Sequence, residues 1–442
     1  MRIIEQLEQD VKKMENISKQ AAGRLLSPFF IALWVLVFLV EFLKGSLLVS
    51  ILPVYMGDTL GLSAGVIGLA FSLQYLGDNL FRVPAGWLAE RLGYRGTMAA
   101  ALIVTIAAVL MMSFFSSSFW LVLACLLLGI GTSPLWPCAM TGTTEISGPS
   151  NSNGRAMGTL EIAVLGGTGL GPIVMNFVTA STGQEYGIVF MVLTGCSILM
   201  LLVALLLPGR KPTKVAAVHG KTANPESSAL PLRGKLQQIM DNMKNTLDFI
   251  KTNLKVNPLI YPALFLQSFV LGLLSPVLTL YARTDLGISP NMYSALLVAG
   301  GGITVLALIP LGKLVDRFGP RYFLHIGFAL AGLTLFTFAG ISTIPMIFLA
   351  VCVVGFSYAL ILPAWNTFLA GLVPGNERGT VWGFFLTLQG SGLVVGPIVS
   401  GTLWDHVGHT VPFITSGIVM LLLFICHLLL ERRPYRGKST AS

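Results

Sequence analysis

The sequence predicts an all-α membrane protein, with twelve transmembrane helices in two pseudo-symmetric six-helix bundles. Three observations predict it. Charged residues make up only 11% of the 442 residues and hydrophobic residues 54%, with a mean hydropathy of +0.79; a soluble domain carries about a quarter charged residues. Apolar runs near the length a bilayer demands recur from around Phe29–Ser50 to around Phe413–Leu430, about twelve in all. Finally, the segment Gly86-Trp87-Leu88-Ala89-Glu90-Arg91-Leu92-Gly93-Tyr94-Arg95 returns 226 positions later as Gly312-Lys313-Leu314-Val315-Asp316-Arg317-Phe318-Gly319-Pro320-Arg321. Tyr55 and Tyr281, Leu60-Gly61-Leu62-Ser63 and Leu286-Gly287-Ile288-Ser289, Gly129 and Gly355, and Pro137 and Pro363 keep the same offset. The chain therefore reads as a duplication of one membrane-embedded unit.

The distribution of charge predicts the topology. Of the 28 Lys and Arg, all except Lys44, Arg82 and Arg283 fall in the two tails and in alternate connections, around Arg91/Arg95, Arg155, Arg210–Lys255, Lys313–Arg321 and Arg378. The intervening connections Phe115–Phe119 and Ser342–Pro345 have no Lys or Arg. This asymmetry places both termini in the cytoplasm of a plasma-membrane protein. The net charge of +9 then faces anionic lipid rather than DNA or RNA, so no nucleic-acid partner is expected. The cysteines Cys125, Cys138, Cys196, Cys352 and Cys426 lie in apolar runs without metal or redox spacing and read as small packed side chains.

Taken in order, residues 1–27 are polar and form a cytoplasmic tail; the apolar run that follows is too long for a cleavable signal. The N-terminal bundle covers 28–207. Its first helix carries Glu41 and Lys44 on one face, one turn apart, and its second carries a stripe of Gln74, Asp78 and Arg82. A charge at the bilayer centre costs about 2.5–3.5 kcal/mol, so such residues face a cavity or a partner. Arg82, near the cytoplasmic end, can equally snorkel or neutralise Asp78. In the fourth helix Trp136 stands between Pro134 and Pro137; its flat ring and N–H suit a sugar face as well as simple packing. Glu161 lies about one turn into the fifth helix, where a carboxylate also favours the helix N-terminus.

Residues 208–257 form a linker whose second part is a basic amphipathic helix (Leu236, Ile239, Met240, Met243, Leu247, Ile250, Leu254), expected on the cytoplasmic membrane surface. The C-terminal bundle covers 258–430. Gln267, Val270 and Thr304 stand where Glu41, Lys44 and Asp78 stand in the first half. The charged cluster is thus confined to one half, and the cavity is expected to have one charged and one apolar wall. Trp365 after Pro363 parallels Trp136, and Gln389 in the eleventh helix completes the candidate substrate-binding or proton-coupling set. His406 and His409 beside Asp405 read as solvated loop histidines. No metal or cofactor is expected. Residues 431–442 are a cytoplasmic tail.

The repeated Gly-x-x-x-Asp/Glu-Arg-x-Gly-x-Arg closes a helix, turns and opens the next. Gly86 and Gly312 are expected to allow close helix approach, and Gly93 and Gly319 to make the turn. Glu90 and Asp316 can face the positive end of a neighbouring helix, while Arg91, Arg95, Arg317 and Arg321 can pair across the half-interface or with lipid phosphate. On these residues the chain resembles the major facilitator superfamily, with Glu90 where that signature usually has Asp. The superfamily's exporter signature is also similar to Gly158, Gly167, Gly171 and Pro172 in the fifth helix, and to Gly383, Gly392, Gly396 and Pro397 in the eleventh. That resemblance implies outward movement, although Met175-Asn176 replaces the glycine pair that should follow. Cys125 stands where proton-coupled drug exporters have arginine, which points away from an ordinary drug antiporter.

An acid and a base one turn apart, an acid in the second helix and a tryptophan in the fourth form a narrower resemblance. It is to the flippases that move the diglucosyl-diacylglycerol anchor of lipoteichoic acid in Gram-positive bacteria. It implies that Glu41, Lys44 (in place of arginine), Asp78 and Trp136 bind the sugar head while the C-terminal half accommodates acyl chains. No Ser/His/Asp array or phosphate-cradling loop supports an enzyme. The expected function is secondary active transport by alternating access: export or flipping of an amphiphile such as an anchor glycolipid, with proton coupling. Proton-coupled efflux of drugs or metabolites is the alternative, and a non-transporting receptor or scaffold would not need charges in the membrane interior. The expected partners are the amphiphile, protons and membrane lipids, and the expected state is a monomer.

Overall fold

The computed structural model describes residues 27–147, 153–207, 209, 257–341, 343–372 and 378–432. The expected tails and almost all of the expected linker with its amphipathic helix lie outside the described residues, as does the side chain of Glu90. Every described segment of regular structure is helical.

The first helix, α1 (Pro28–Thr59), opens with Pro28 at its first position and Ser27 as cap, whose hydroxyl accepts from the Phe30 N–H. It is α-helical to Gly45, becomes a π-helix over Ser46–Ile51, returns to α over Leu52–Val54 and is π again over Tyr55–Thr59. Ala64–Phe114 runs on for 51 residues, broken where Gly93 adopts φ 75° and ψ 175°. That break divides it into α2 (64–92) and α3 (94–114). The fourth helix, α4, has two parts, Ser118–Thr132 and Leu135–Ser147, separated at Ser133-Pro134. Then follow α5 (Asn153–Ser181), α6 (Tyr186–Leu206), α7 (Ile260–Thr284), α8 (Pro290–Phe318), α9 (Arg321–Phe338), α10 (Ile344–Leu372), α11 (Arg378–His406) and α12 (Val411–Arg432).

Among the described residues, eleven stretches are long and apolar enough to cross a membrane. The twelfth helix, α2, is the one diluted by Gln74, Asp78, Asn79 and Arg82.

The duplication is visible in backbone hydrogen bonds. At the end of α1, Leu60 N–H donates to Tyr55 O and Leu62 N–H to Met56 O; at the end of α7, Leu286 donates to Tyr281 O and Ile288 to Ala282 O. Gly61 and Gly287 make the two equivalent turns at φ 63° and 61°. The signature turns behave as expected: Gly93 and Gly319 both have positive φ, where a β-carbon would be strained. The expected close approach at Gly86 and Gly312 is not found. A β-carbon at Gly86 would meet only Pro137 at 3.8 Å, and one at Gly312 would meet nothing within 4 Å.

Helices are drawn together elsewhere. Gly167 and Gly171 of α5 lie directly against the carbonyls of Phe38 and Phe42 in α1, and Gly392 and Gly396 of α11 pack on Phe265 and Gly272 of α7. Gly129 of α4 lies against Gln74 O, and its repeat partner Gly355 against Gly300 O. Small residues let helix backbones meet where lipid offers no hydrophobic drive to associate. A β-carbon at Gly158 or Gly383, which open the same signature, would meet nothing within 4 Å.

The chain forms two compact units: residues up to 207 with Ser275–Val298, and the remainder of the second half. The C-terminal part of α7 and the start of α8 thus belong with the first unit. In the second unit, α9 packs on α10 and α12. Its core joins Leu264, Val270, Phe328, Trp365 and Phe385.

Candidate functional site

The first unit carries a chain of alternating charges inside its helices. Lys44 Nζ of α1 lies 3.5 Å from Glu41 Oε1 and 3.3 Å from Asp78 Oδ2 of α2. Asp78 in turn takes Arg82 through Nη2 at 3.3 Å and Nε at 3.4 Å. The sequence spacing accounts for this directly. Residues three and four apart share a helix face, so α1 presents an acid and a base together and α2 presents an acid and a base one turn apart. Glu41 and Asp78 are only 8% and 4% exposed. Two acids and two bases alternate to zero net charge, the condition under which a desolvated ionic group is tolerable.

One group on α5 joins this network. The Thr168 hydroxyl donates to Glu41 Oε2 at 3.3 Å. Glu161 lies seven residues earlier on the same face of α5 and is exposed. Gly167, beside Thr168, allows the approach: a β-carbon there would meet the Glu41 Cβ at 3.1 Å in addition to the α1 backbone. Sequence reasoning missed Thr168. Its signal was its place between Gly167 and Gly171, the two glycines that bring α5 onto α1.

Gln74 is fully buried one turn before Asp78, and neither atom of its carboxamide has a hydrogen-bond partner. Burying an amide without partners costs about 1–3 kcal/mol, so such a group marks a place for water or ligand. Its neighbour Tyr75, another residue missed from sequence, places its hydroxyl 3.2 Å from Ser275 Oγ. Trp136 is half-buried just beyond the break in α4. The structure thus brings Glu41, Lys44, Asp78 and Arg82 together in the first unit, with Thr168 on Glu41; Glu161 is exposed on α5 and makes no ion pair or hydrogen bond with these residues.

Gln267, Trp365 and Gln389 belong to the second unit. Gln267 Oε1 accepts from Ser268 at 3.2 Å, and Gln389 is half-buried. Trp365, 3% exposed, is part of that unit's core, its ring 6.0 Å from Phe328 and 5.9 Å from Phe368. Of the apolar wall expected opposite the charges, Val270 is also turned into the core, and the Thr304 hydroxyl is engaged at 2.9 Å with both Gly300 O and Gly355 O. Those two residues are committed to packing within their own unit.

The signature arginines Arg91, Arg95, Arg317 and Arg321 and the carboxylate Asp316 are exposed, with Arg317 over the Phe318 ring at 5.3 Å. The His409 ring stacks on Trp404 at 4.1 Å, a contact that the solvated-loop reading did not foresee. Among the described residues no group of three or more potential ligands is placed to hold a metal. The five cysteines are free, two buried and three half-buried.

Charges inside a duplicated helical membrane unit are the mark of a transporter. The pattern of the Major Facilitator Superfamily matches residues 33–252 and 260–442; the chain belongs to that superfamily. It is a secondary transporter, not an enzyme.

The chain is 27% identical over 403 residues to the proton-coupled antiporter flippase LtaA of Staphylococcus saprophyticus, covering 90% of this chain and 92% of that one. It is 24% identical over 401 residues to LtaA of Staphylococcus aureus, covering 90% and 93%. Among solved structures, the nucleoside transporter NupG has a TM-score of 0.73 at 17% identity, covering 91% of this chain and 99% of NupG. A bacterial homologue of the human lysosomal transporter Spinster has 0.70 at 15%, covering 93% and 97%. At these identities the two structures bear on fold alone.

Proposed function

We propose that this transporter flips an anchor glycolipid across the plasma membrane by proton-coupled antiport, working as a monomer with both termini in the cytoplasm. The observation that carries the reading is the ion-pair chain Glu41–Lys44–Asp78–Arg82, its two carboxylates buried, with the unpartnered Gln74 beside it. The similarity to flippases named as proton-coupled antiporters supports it.

A sugar head offers many hydroxyls, each both donor and acceptor, and these suit a site holding two carboxylates, an ammonium and a free carboxamide. The half-buried Trp136 supplies a flat face for a pyranose ring. Each of the carboxylates Asp78 and Glu41 can take up either a proton or hydrogen bonds from sugar hydroxyls. Proton binding and sugar binding therefore compete for the same carboxylates, and that competition is the basis of antiport.

The test is reconstitution into proteoliposomes with labelled diglucosyl-diacylglycerol, with and without a pH gradient. Gradient-driven flipping is expected. Strong gradient-driven transport of unrelated cationic amphiphiles, with no movement of the glycolipid, would favour efflux instead.

A further inference from the structure

Pro53 has no N–H, so the carbonyl of Val49, four residues earlier, loses the donor that a regular α-helix would give it. Around this point α1 takes the π geometry of Ser46–Ile51, starting two residues after Lys44. Such π insertions cluster at functional sites. Val49 O finds its partner across the unit, where the Thr279 hydroxyl of α7 donates to it. Tyr293 of α8 lies 2.6 Å from the same hydroxyl. Thr279 has a single proton and gives it to Val49, so Tyr293 must be the donor to Thr279. The result is a directed chain, Tyr293 to Thr279 to Val49, with Thr279 only 1% exposed and Tyr293 3%.

Flanking contacts follow the same seam. One turn earlier on α7, Ser275 meets Tyr75. On the other side of Thr279, Leu280 covers Gly57, where a β-carbon would lie 2.7 Å from Leu280 Cδ1. Arg283 donates to Ile288 O at 2.7 Å and acts electrostatically on Asp58.

We propose that Thr279 is a positioning residue, the centre of a neutral latch that ties α7 and α8 to the π segment of α1 and holds the Thr59 end of the first unit shut. Being built from uncharged hydrogen bonds, the latch opens and recloses readily. It acts on the helix that carries Glu41 and Lys44 and, through Tyr75, on the helix that carries Asp78. The inference rests on alternating access, not on the glycolipid being the substrate.

The test uses full-length protein with Cys125, Cys138, Cys196, Cys352 and Cys426 replaced by alanine and with Leu280→Cys as the only thiol. It follows the rate of labelling by a membrane-impermeant maleimide. The parent should label slowly, because position 280 is shielded, and the rate should track the opened fraction. Thr279→Val should raise the rate by about fivefold, the shift expected from one lost hydrogen bond. Thr279→Ser should restore the parent rate. Tyr293→Phe, which removes the second donor without touching the Thr279–Val49 bond, should raise the rate by a smaller factor. Equal rates in the parent, Thr279→Val and Tyr293→Phe would overturn the latch, as would labelling of the parent as fast as an exposed cysteine at Ser181.

Discussion

Asp78→Asn isolates the role of the central carboxylate. In the folded protein Asp78 Oδ2 is shared by Lys44 and Arg82, both at 3.3 Å. The asparagine leaves two cations against Glu41 alone, an excess of one positive charge in the helical interior. Removing one partner of a buried ion pair typically costs about 3–5 kcal/mol. Two features reduce that here. The Arg82 side chain is 32% exposed and can turn to solvent or lipid phosphate, and Lys44 keeps Glu41 at 3.5 Å. A loss of about 2 kcal/mol remains, enough to lower the melting temperature in detergent while leaving the protein folded. Adding Arg82→Gln restores charge balance, so the double variant should regain most of that stability. On the coupling proposed for Asp78, gradient-driven flipping should be absent from both. The assays are thermal melting of the purified variants and flipping in proteoliposomes with an imposed pH gradient. Unchanged melting of Asp78→Asn would refute the energetic argument. Full proton dependence in both Asp78→Asn and Glu41→Gln would refute the coupling argument and direct attention to Glu161.

Glycolipid should compete for binding better than its free disaccharide head, and Trp136→Ala should weaken glycolipid binding; equal affinity for head and whole lipid in a displacement assay would count against flipping. Gly167→Val and Gly171→Val should abolish folded, monodisperse protein, since a side chain there meets the α1 backbone, whereas Gly158→Ala should be silent in size-exclusion profiles because nothing lies within 4 Å. Single cysteines placed at the exposed Ser117 and Ser181 should react with impermeant thiol reagents from outside the cell; reaction from the cytoplasmic side alone would invert the topology.

The sequence by itself determined the class, the duplication and the charge pairs within single helices of the candidate site. Apolar run length is a direct consequence of bilayer thickness, and the 226-residue repeat survives as a matching pattern of turns at Gly61 and Gly287. The pairing of Glu41 with Lys44 and of Asp78 with Arg82 was legible because three- and four-residue spacing places side chains on one face of their own helix. What that spacing leaves open is the rotation of each helix against its neighbours. Tertiary packing decided it: Gly167 and Gly171 seat α5 so that Thr168 reaches Glu41, whereas Trp365 and Val270, which stand at repeat positions suggestive of a binding wall, turn into the core of the second unit. The bond from Thr279 to Val49 was equally hidden. Pro53 announces a carbonyl without its helical donor, but the hydroxyl that takes it comes from 230 residues away, a distance over which only the folded chain can choose the partner.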